Sequence, residues 1–178
     1  MDSDIKSVLL TESAIRNRVE TLGKLISKNY QGKPTVFIGI LKGSFMFMAD
    51  LMRQVTIPLA MDFMAISSYG NNCTSGNITV KKELSINIEG KHVIIVEDIL
   101  DTGRTLTFLK EYLQARNPVS IETVVLLDKP ARRQCPIYAE YVGFEIDNEF
   151  VVGYGLDYAE LYRNLPYIGI LAPEAYAK

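Results

Sequence analysis

Residues 93–105 read V-I-I-V-E-D-I-L-D-T-G-R-T, and no other stretch restricts the possible folds of this chain so much. Val93, Ile94, Ile95 and Val96 form an unbroken β-branched apolar run, the composition of a strand buried on both faces of a parallel sheet. The strand is expected to end in charge, at Glu97 and Asp98. That places two carboxylates at the carboxyl end of a central strand, the edge where open α/β sheets hold their ligands. A polar loop, Asp101, Thr102, Gly103, Arg104 and Thr105, comes next, and Leu106, Leu109 and Leu113 then mark one face of a helix expected over 106–116.

The loop suits a phosphate: a glycine lets backbone approach a ligand, and threonine hydroxyls with free first-turn N–H groups donate to anionic oxygens. The carboxylates do not, because they would repel it. They need a cation, or hydroxyls seeking acceptors, and a sugar phosphate meets both demands. An acidic turn before a helix cap also occurs without any ligand, and Asp101 and Thr102 alone would be read that way. Neither G-x-G-x-x-G nor G-x-x-x-x-G-K-[ST] is present in this loop. The whole pattern, an apolar strand and then E-D-x-x-D-T-G-x-T, resembles the phosphoribosyl pyrophosphate signature of the type I phosphoribosyltransferases, in their 6-oxopurine branch.

At 178 residues the chain is expected to be one domain, 1–178, long enough for a full core. Nineteen basic against 21 acidic residues give a net charge of −2 with no Lys/Arg block, which argues against a nucleic-acid surface. Cys73 and Cys135 have neither a disulfide framework nor zinc spacing. The amino terminus lacks the layout of a signal peptide and no apolar run approaches membrane-spanning length, so no membrane association and a cytoplasmic location are expected.

Taken in order, Ile15, Val19, Leu22 and Ile26 have helical spacing over 13–30, with Thr11 or Ser13 as candidate caps. Thr35–Leu41 reads as a second strand buried on both faces, ending at Lys42, Gly43 and Ser44 before a helix over Phe45–Gln54. Lys42 and Gly43 suit an anion, and they equally suit an ordinary strand-to-helix turn. Leu59–Ser68 and residues 78–83 form a candidate hairpin with its tip at 69–73. His92, the only histidine, lies at the end of its strand remote from any ligand edge and reads as structural. Residues 121–127 give a third parallel strand ending at Asp128, Lys129 and Pro130, and 141–145 and 149–154 are short strands. By itself Lys129 reads as a surface lysine, and Phe150 as a packed strand residue.

The resemblance spans about residues 39–163 in three motifs. It implies a doubly wound, largely parallel α/β sheet flanked by helices, with a small hood to which 137–178 contribute and a flexible lid hairpin. It implies transfer of phosphoribose from phosphoribosyl pyrophosphate to hypoxanthine or guanine, giving the nucleoside 5′-monophosphate and pyrophosphate. Residues 101–105 (Asp101, Thr102, Gly103, Arg104, Thr105) would hold the 5′-phosphate, with Arg104 at a position that varies in the family, and Glu97 and Asp98 the ribose. Lys42, Gly43 and Arg163 would meet pyrophosphate, with a cis peptide between Leu41 and Lys42. Lys129, Phe150 and Val151, with Asp157, would form the purine site, Lys129 donating to the C6 oxygen. Ser68 and Tyr69 would sit at the lid tip, and Mg2+ would lie among Glu97, Asp98 and Asp157. Asp101 would take the proton from N7 of the purine. Arg133 is left outside the site. A homodimer or homotetramer is implied. Two other readings stay open: a regulatory protein of the same fold, and a transferase acting on adenine, orotate or uracil.

Overall fold

The computed structural model describes residues 4–68 and 78–176. In chain order these form β1 (Ile5–Leu10), α1 (Glu12–Asn29), β2 (Thr35–Leu41), α2 (Phe45–Gln54), β3 (Leu59–Ser68) and β4 (Ile78–Lys82). There follow β5 (His92–Leu100), α3 (Arg104–Gln114), β6 (Ser120–Asp128), β7 (Tyr141–Glu145), β8 (Val151–Val152), β9 (Ile168–Leu171) and α4 (Pro173–Tyr176).

Six strands make the main sheet, in the order β4-β3-β2-β5-β6-β7, all parallel except β4. The β-branched runs explain why the parallel strands alternate only in which face they cover. Phe37, Ile94, Val96, Val124 and Leu126 pack under α1 and α2, with Ile15, Val19, Leu22, Phe47 and Leu51. Val36, Ile38, Val93, Ile95 and Val125 pack on the other face against Leu106, Leu109 and Leu113 of α3. The sheet is doubly wound, as expected. Thr11, rather than Ser13, caps α1 by accepting from the Ala14 N–H. His92 is structural: its Nδ1 lies 2.8 Å from Ser120 Oγ, and its ring meets Tyr30 edge to face.

Two expectations are corrected. The first concerns β5, which does not stop at Val96 but runs through Glu97 and Asp98 to Leu100. It does so because its ladder to β6 continues to Leu100↔Asp128, whereas the ladder to β2 ends at Gly39↔Val96. Beyond that pair β5 is bonded on one side only. A gap therefore opens at the carboxyl ends of β2 and β5, where the order of strand addition reverses, the expected ligand crevice of such a sheet. The second concerns Tyr141–Glu145, which does not join a carboxyl-terminal cap. It extends the main sheet beside β6, and the small second sheet has the order β1-β9-β8, so one of its strands comes from the start of the chain.

The hairpin of β3 and β4 is antiparallel, with Ser68 opposite Ile78. Tyr69 and the tip through Cys73 lie outside the described residues.

Candidate active site

The gap between β2 and β5 is a cavity of about 390 Å³. Lys42 and Gly43 enter it from the end of β2, Glu97 and Asp98 from β5, and Asp101, Thr102, Gly103 and Thr105 from the loop and first turn of α3. Asp157 and Arg163, far along the chain, complete the wall. Ten residues singled out in the sequence thus converge on one space.

Local structure explains each placement. The Leu41–Lys42 peptide is cis. A side chain at Gly43 would put its Cβ 1.6 Å from Asp98 Oδ2, so the two strand ends can close together only with glycine there. Gly103 has φ 86° and is the residue before α3, a left-handed position that glycine takes without strain. A Cβ on it would also meet Ile137 at 2.7 Å. The hydroxyl of Thr102 faces the Arg104 N–H at 3.5 Å, and Thr107 N–H bonds back to Gly103 O at 3.0 Å. The N–H groups that precede this bond have no partner within the helix, as at any helix start.

The electrostatics are divided. Burial raises the Glu97 carboxyl well above the usual range, reinforced by the neighbouring Asp98 charge. Asp98 is raised from 3.8 to about 6, chiefly by burial, against the Ile99 N–H and Arg163, which favour its ionised form. A raised acid favours the folded state most when it is protonated. Its contribution is fully present below about pH 4 and is lost as pH rises through about 6. Asp98→Asn is therefore expected to stabilise the fold at pH 8 by on the order of 1–2 kcal/mol. Each tenfold rise in proton affinity corresponds to about 1.4 kcal/mol, and the total is reduced because Asp98 keeps some solvent contact. Urea midpoints should separate at pH 8 and merge below pH 4; a variant less stable than the parent at pH 8 would contradict this assignment.

Other expected site residues lie outside the cavity wall. Arg104 starts α3 and its guanidinium meets Gln134 Oε1. Lys129 follows β6, is buried, and donates to Glu149 O at 2.5 Å; burial lowers its pKa, opposed mainly by Asp101. Phe150 is not packed away: it is 41% exposed, its ring 5.7 Å from Tyr158 in an edge-to-face contact. Val151, on β8, is buried. Asp101, by contrast a wall residue, pairs with Arg132 at 3.1 Å. Among the described residues no cluster of three or more Asp, Glu, His or Cys side chains could cage a metal by itself.

Sequence reasoning passed over three residues. Arg133 donates to the carbonyls of Asp101 (3.0 Å), Leu100 (3.3 Å) and Ile137 (2.6 Å) and pairs with Asp128, so it braces Leu100 and Asp101 through their backbone. Gly155 at φ 101° leaves space for Gly43 O, which a Cβ would meet at 2.1 Å. Glu160 bridges Lys42 Nζ at 2.7 Å and Arg163 at 3.4 Å. Buried backbone bonds and shape fix the first two, and neither has a local sequence signature.

Comparison with known proteins follows the same lines. Residues 7–159 match the model of the phosphoribosyl transferase domain. A hypoxanthine-guanine phosphoribosyltransferase of Staphylococcus aureus is 55% identical over 178 residues, covering 99% of both chains. A crystal structure of a hypoxanthine phosphoribosyltransferase from Staphylococcus aureus superposes with a TM-score of 0.96 at 54% identity, covering 100% of this chain and 97% of that one. A hypoxanthine-guanine phosphoribosyltransferase from Bacillus anthracis, with a HEPES molecule in its active site, gives 0.91 at 46% identity, covering 94% and 99%. With a sheet that opens where its acidic strand ends and a domain match across most of its length, this chain belongs to the phosphoribosyltransferase family.

Proposed function

We propose that the protein is a purine-salvage phosphoribosyltransferase that converts hypoxanthine or guanine and phosphoribosyl pyrophosphate to the nucleoside 5′-monophosphate and pyrophosphate. The observation that carries this is the cavity itself, which sets two buried carboxylates beside a glycine-threonine helix start and a lysine-arginine pair. Those three chemistries match a sugar with vicinal hydroxyls, a terminal phosphate and a pyrophosphate leaving group. In this reading the segment Asp101, Thr102, Gly103, Arg104 and Thr105 receives the 5′-phosphate on amides and hydroxyls, and Glu97 and Asp98 accept from the ribose hydroxyls. Lys42 and Arg163 face the pyrophosphate, with the Gly43 backbone close to it.

Purine N9 attacks C1′ as the bond from C1′ to the pyrophosphate oxygen breaks, and the proton on N7 passes to Asp101. Asp101 is close enough for its charge to act on Lys129, whose ammonium in this reading releases Glu149 O to donate to a C6 oxygen. An amino group at C6 offers donors there, so the lysine selects against adenine. Phe150, exposed beside this edge, supplies a stacking face, and Val151 its backbone. The small sheet carrying them, with the other residues of 137–178 that join it, serves as the hood over the base. Ser68 and Tyr69 belong to the lid that limits competing attack by water.

The donor set fits Mg2+. Hard oxygens are present at Glu97, Asp98 and Asp157, and the lack of a three-carboxylate cage among the described residues suits an ion that takes one or two carboxylates and completes its shell with substrate oxygens. When bound it would neutralise charge on the leaving pyrophosphate.

We read the assembly as a homodimer or homotetramer; Phe45 and Leu161, exposed next to the cavity residues, offer apolar surface for it. Among the described residues no helix is long and apolar enough to cross a membrane, and with two cysteines in the whole chain a reducing cytoplasm is the compartment we propose. The test is product formation with magnesium, phosphoribosyl pyrophosphate and, separately, hypoxanthine, guanine, adenine, orotate and uracil. Monophosphate is expected from the first two; its absence with both would overturn the assignment, and product from adenine alone would overturn the role of Lys129.

A further inference from the structure

The turn after β8 holds a carboxylate that the proposed chemistry does not use. Glu160 is not in the cavity wall but touches two residues that are, placing one oxygen, Oε2, 2.7 Å from Lys42 Nζ and 3.4 Å from Arg163 Nη2. These are the two cations assigned to pyrophosphate. Each is therefore already engaged, and by the same anionic oxygen.

Neighbouring Asp157 behaves differently. Its Oδ1 is 2.8 Å from Arg163 and its Oδ2 accepts the Glu160 N–H at 2.9 Å, so it is fixed inside the turn. Arg163 is held further by donating to Gly155 O at 2.8 Å. The Glu160 carboxylate has no such anchor: among the described residues its hydrogen bonds go to the two cations, and it is 64% exposed. The Lys42 ammonium holds its carboxyl below the usual range, so it is an anion at neutral pH.

The backbone of this turn is left-handed. Ala159, Glu160 and Tyr162 have φ of 51°, 65° and 74°, a left-handed conformation that residues with a Cβ adopt sparingly. Glycine would suit position 160 better on backbone grounds alone. What glycine lacks is the carboxylate.

We propose that Glu160 is a surrogate anion, a positioning residue that holds Lys42 and Arg163 in their binding geometry while the site is empty and that pyrophosphate must displace. This rests on the assignment of Lys42 and Arg163 to pyrophosphate. An exposed oxygen shared by two cations holds them loosely enough to be exchanged for a polyanion. Competition of this kind weakens the pyrophosphate group in substrate and product alike, and so favours release of the product after transfer.

The test uses the full-length protein with magnesium and inorganic pyrophosphate, titrated calorimetrically, for the parent, Glu160→Gln, Glu160→Gly and Lys42→Ala. Both Glu160 variants should bind pyrophosphate about two- to fivefold more tightly, the size that opening an exposed ion pair allows. The KM for phosphoribosyl pyrophosphate should fall with it, while turnover falls or stays level. A purely structural residue would do the reverse, and the glycine variant, free of the left-handed strain, guards against misreading a folding defect. Unchanged or weaker pyrophosphate binding in both Glu160 variants, with Lys42→Ala still weakening it, overturns the surrogate role alone. Unchanged binding in Lys42→Ala overturns the underlying assignment of the cations as well.

Discussion

Asp101→Asn is expected to lower turnover about 10²- to 10⁴-fold, the range a positioned general base contributes, while leaving the affinity for phosphoribosyl pyrophosphate within a few-fold. Asp101 lines the cavity at the point where β5 gives way to the phosphate loop, and its backbone carbonyl, not its carboxylate, is the part gripped by Arg133. The side chain is 37% exposed and pairs with Arg132 at 3.1 Å, a contact at the surface that a bound base can displace. Asparagine keeps the shape and removes the proton acceptor. Steady-state kinetics with hypoxanthine and with the sugar substrate varied in turn would check the split: equal losses in turnover and in sugar affinity would assign Asp101 to binding.

Gly43→Ala is the second large effect. The added methyl would lie 1.6 Å from Asp98 Oδ2, far inside contact, so either the loop or the carboxylate must move. The loop has little room to yield toward the other side, because Gly43 O is packed where Gly155 lacks a side chain. The carboxylate is therefore the part that shifts, away from the position proposed for the ribose. Loss of a charge-assisted hydrogen bond at this scale raises the KM for phosphoribosyl pyrophosphate about 10- to 100-fold. Initial-rate measurements together with a thermal melt separate this from unfolding: a high KM on a folded protein is the expected outcome, and a KM within twofold of the parent would contradict the wedge.

Much of this arrangement is legible in the sequence. Thr35–Leu41, Phe45–Gln54 and Leu59–Ser68 are bounded where their residue patterns change, because a β-branched run, an amphipathic period and a glycine or proline nearby each have local causes. The cavity residues are legible for a related reason: most lie on the last residues of a parallel strand or just after it, and the strand ends of a parallel sheet meet at one edge. Two features have no local cause. β1 is half exposed, with the pattern intermediate, three exposed, then two intermediate, and its partner is β9, near the other end of the chain. Nothing within Ile5–Leu10 announces that pairing. Glu97 and Asp98 disguise the continuation of β5, since two adjacent carboxylates look like a loop until the ladder to β6 is seen to continue past them.

Arg133 shows the opposite limit. Its side chain reaches three backbone carbonyls, and such partners carry no residue identity, so neither spacing nor charge pattern could single it out from Arg132 beside it. Phe150 illustrates a rule that does not reach it: an apolar residue in a strand usually packs, but the expected strand over 149–154 is only Val151–Val152, and Phe150, just before it, meets Tyr158 edge to face and keeps 41% of its surface exposed.

The most direct test of the proposed site is a crystal structure of the protein soaked with inosine or guanosine 5′-monophosphate. Difference density should put the phosphate on the Thr102–Thr105 segment, the ribose hydroxyls on Glu97 and Asp98, and the base between Lys129 and Phe150. A phosphate bound instead at Lys42 and Arg163, or a sugar out of reach of both carboxylates, would contradict it.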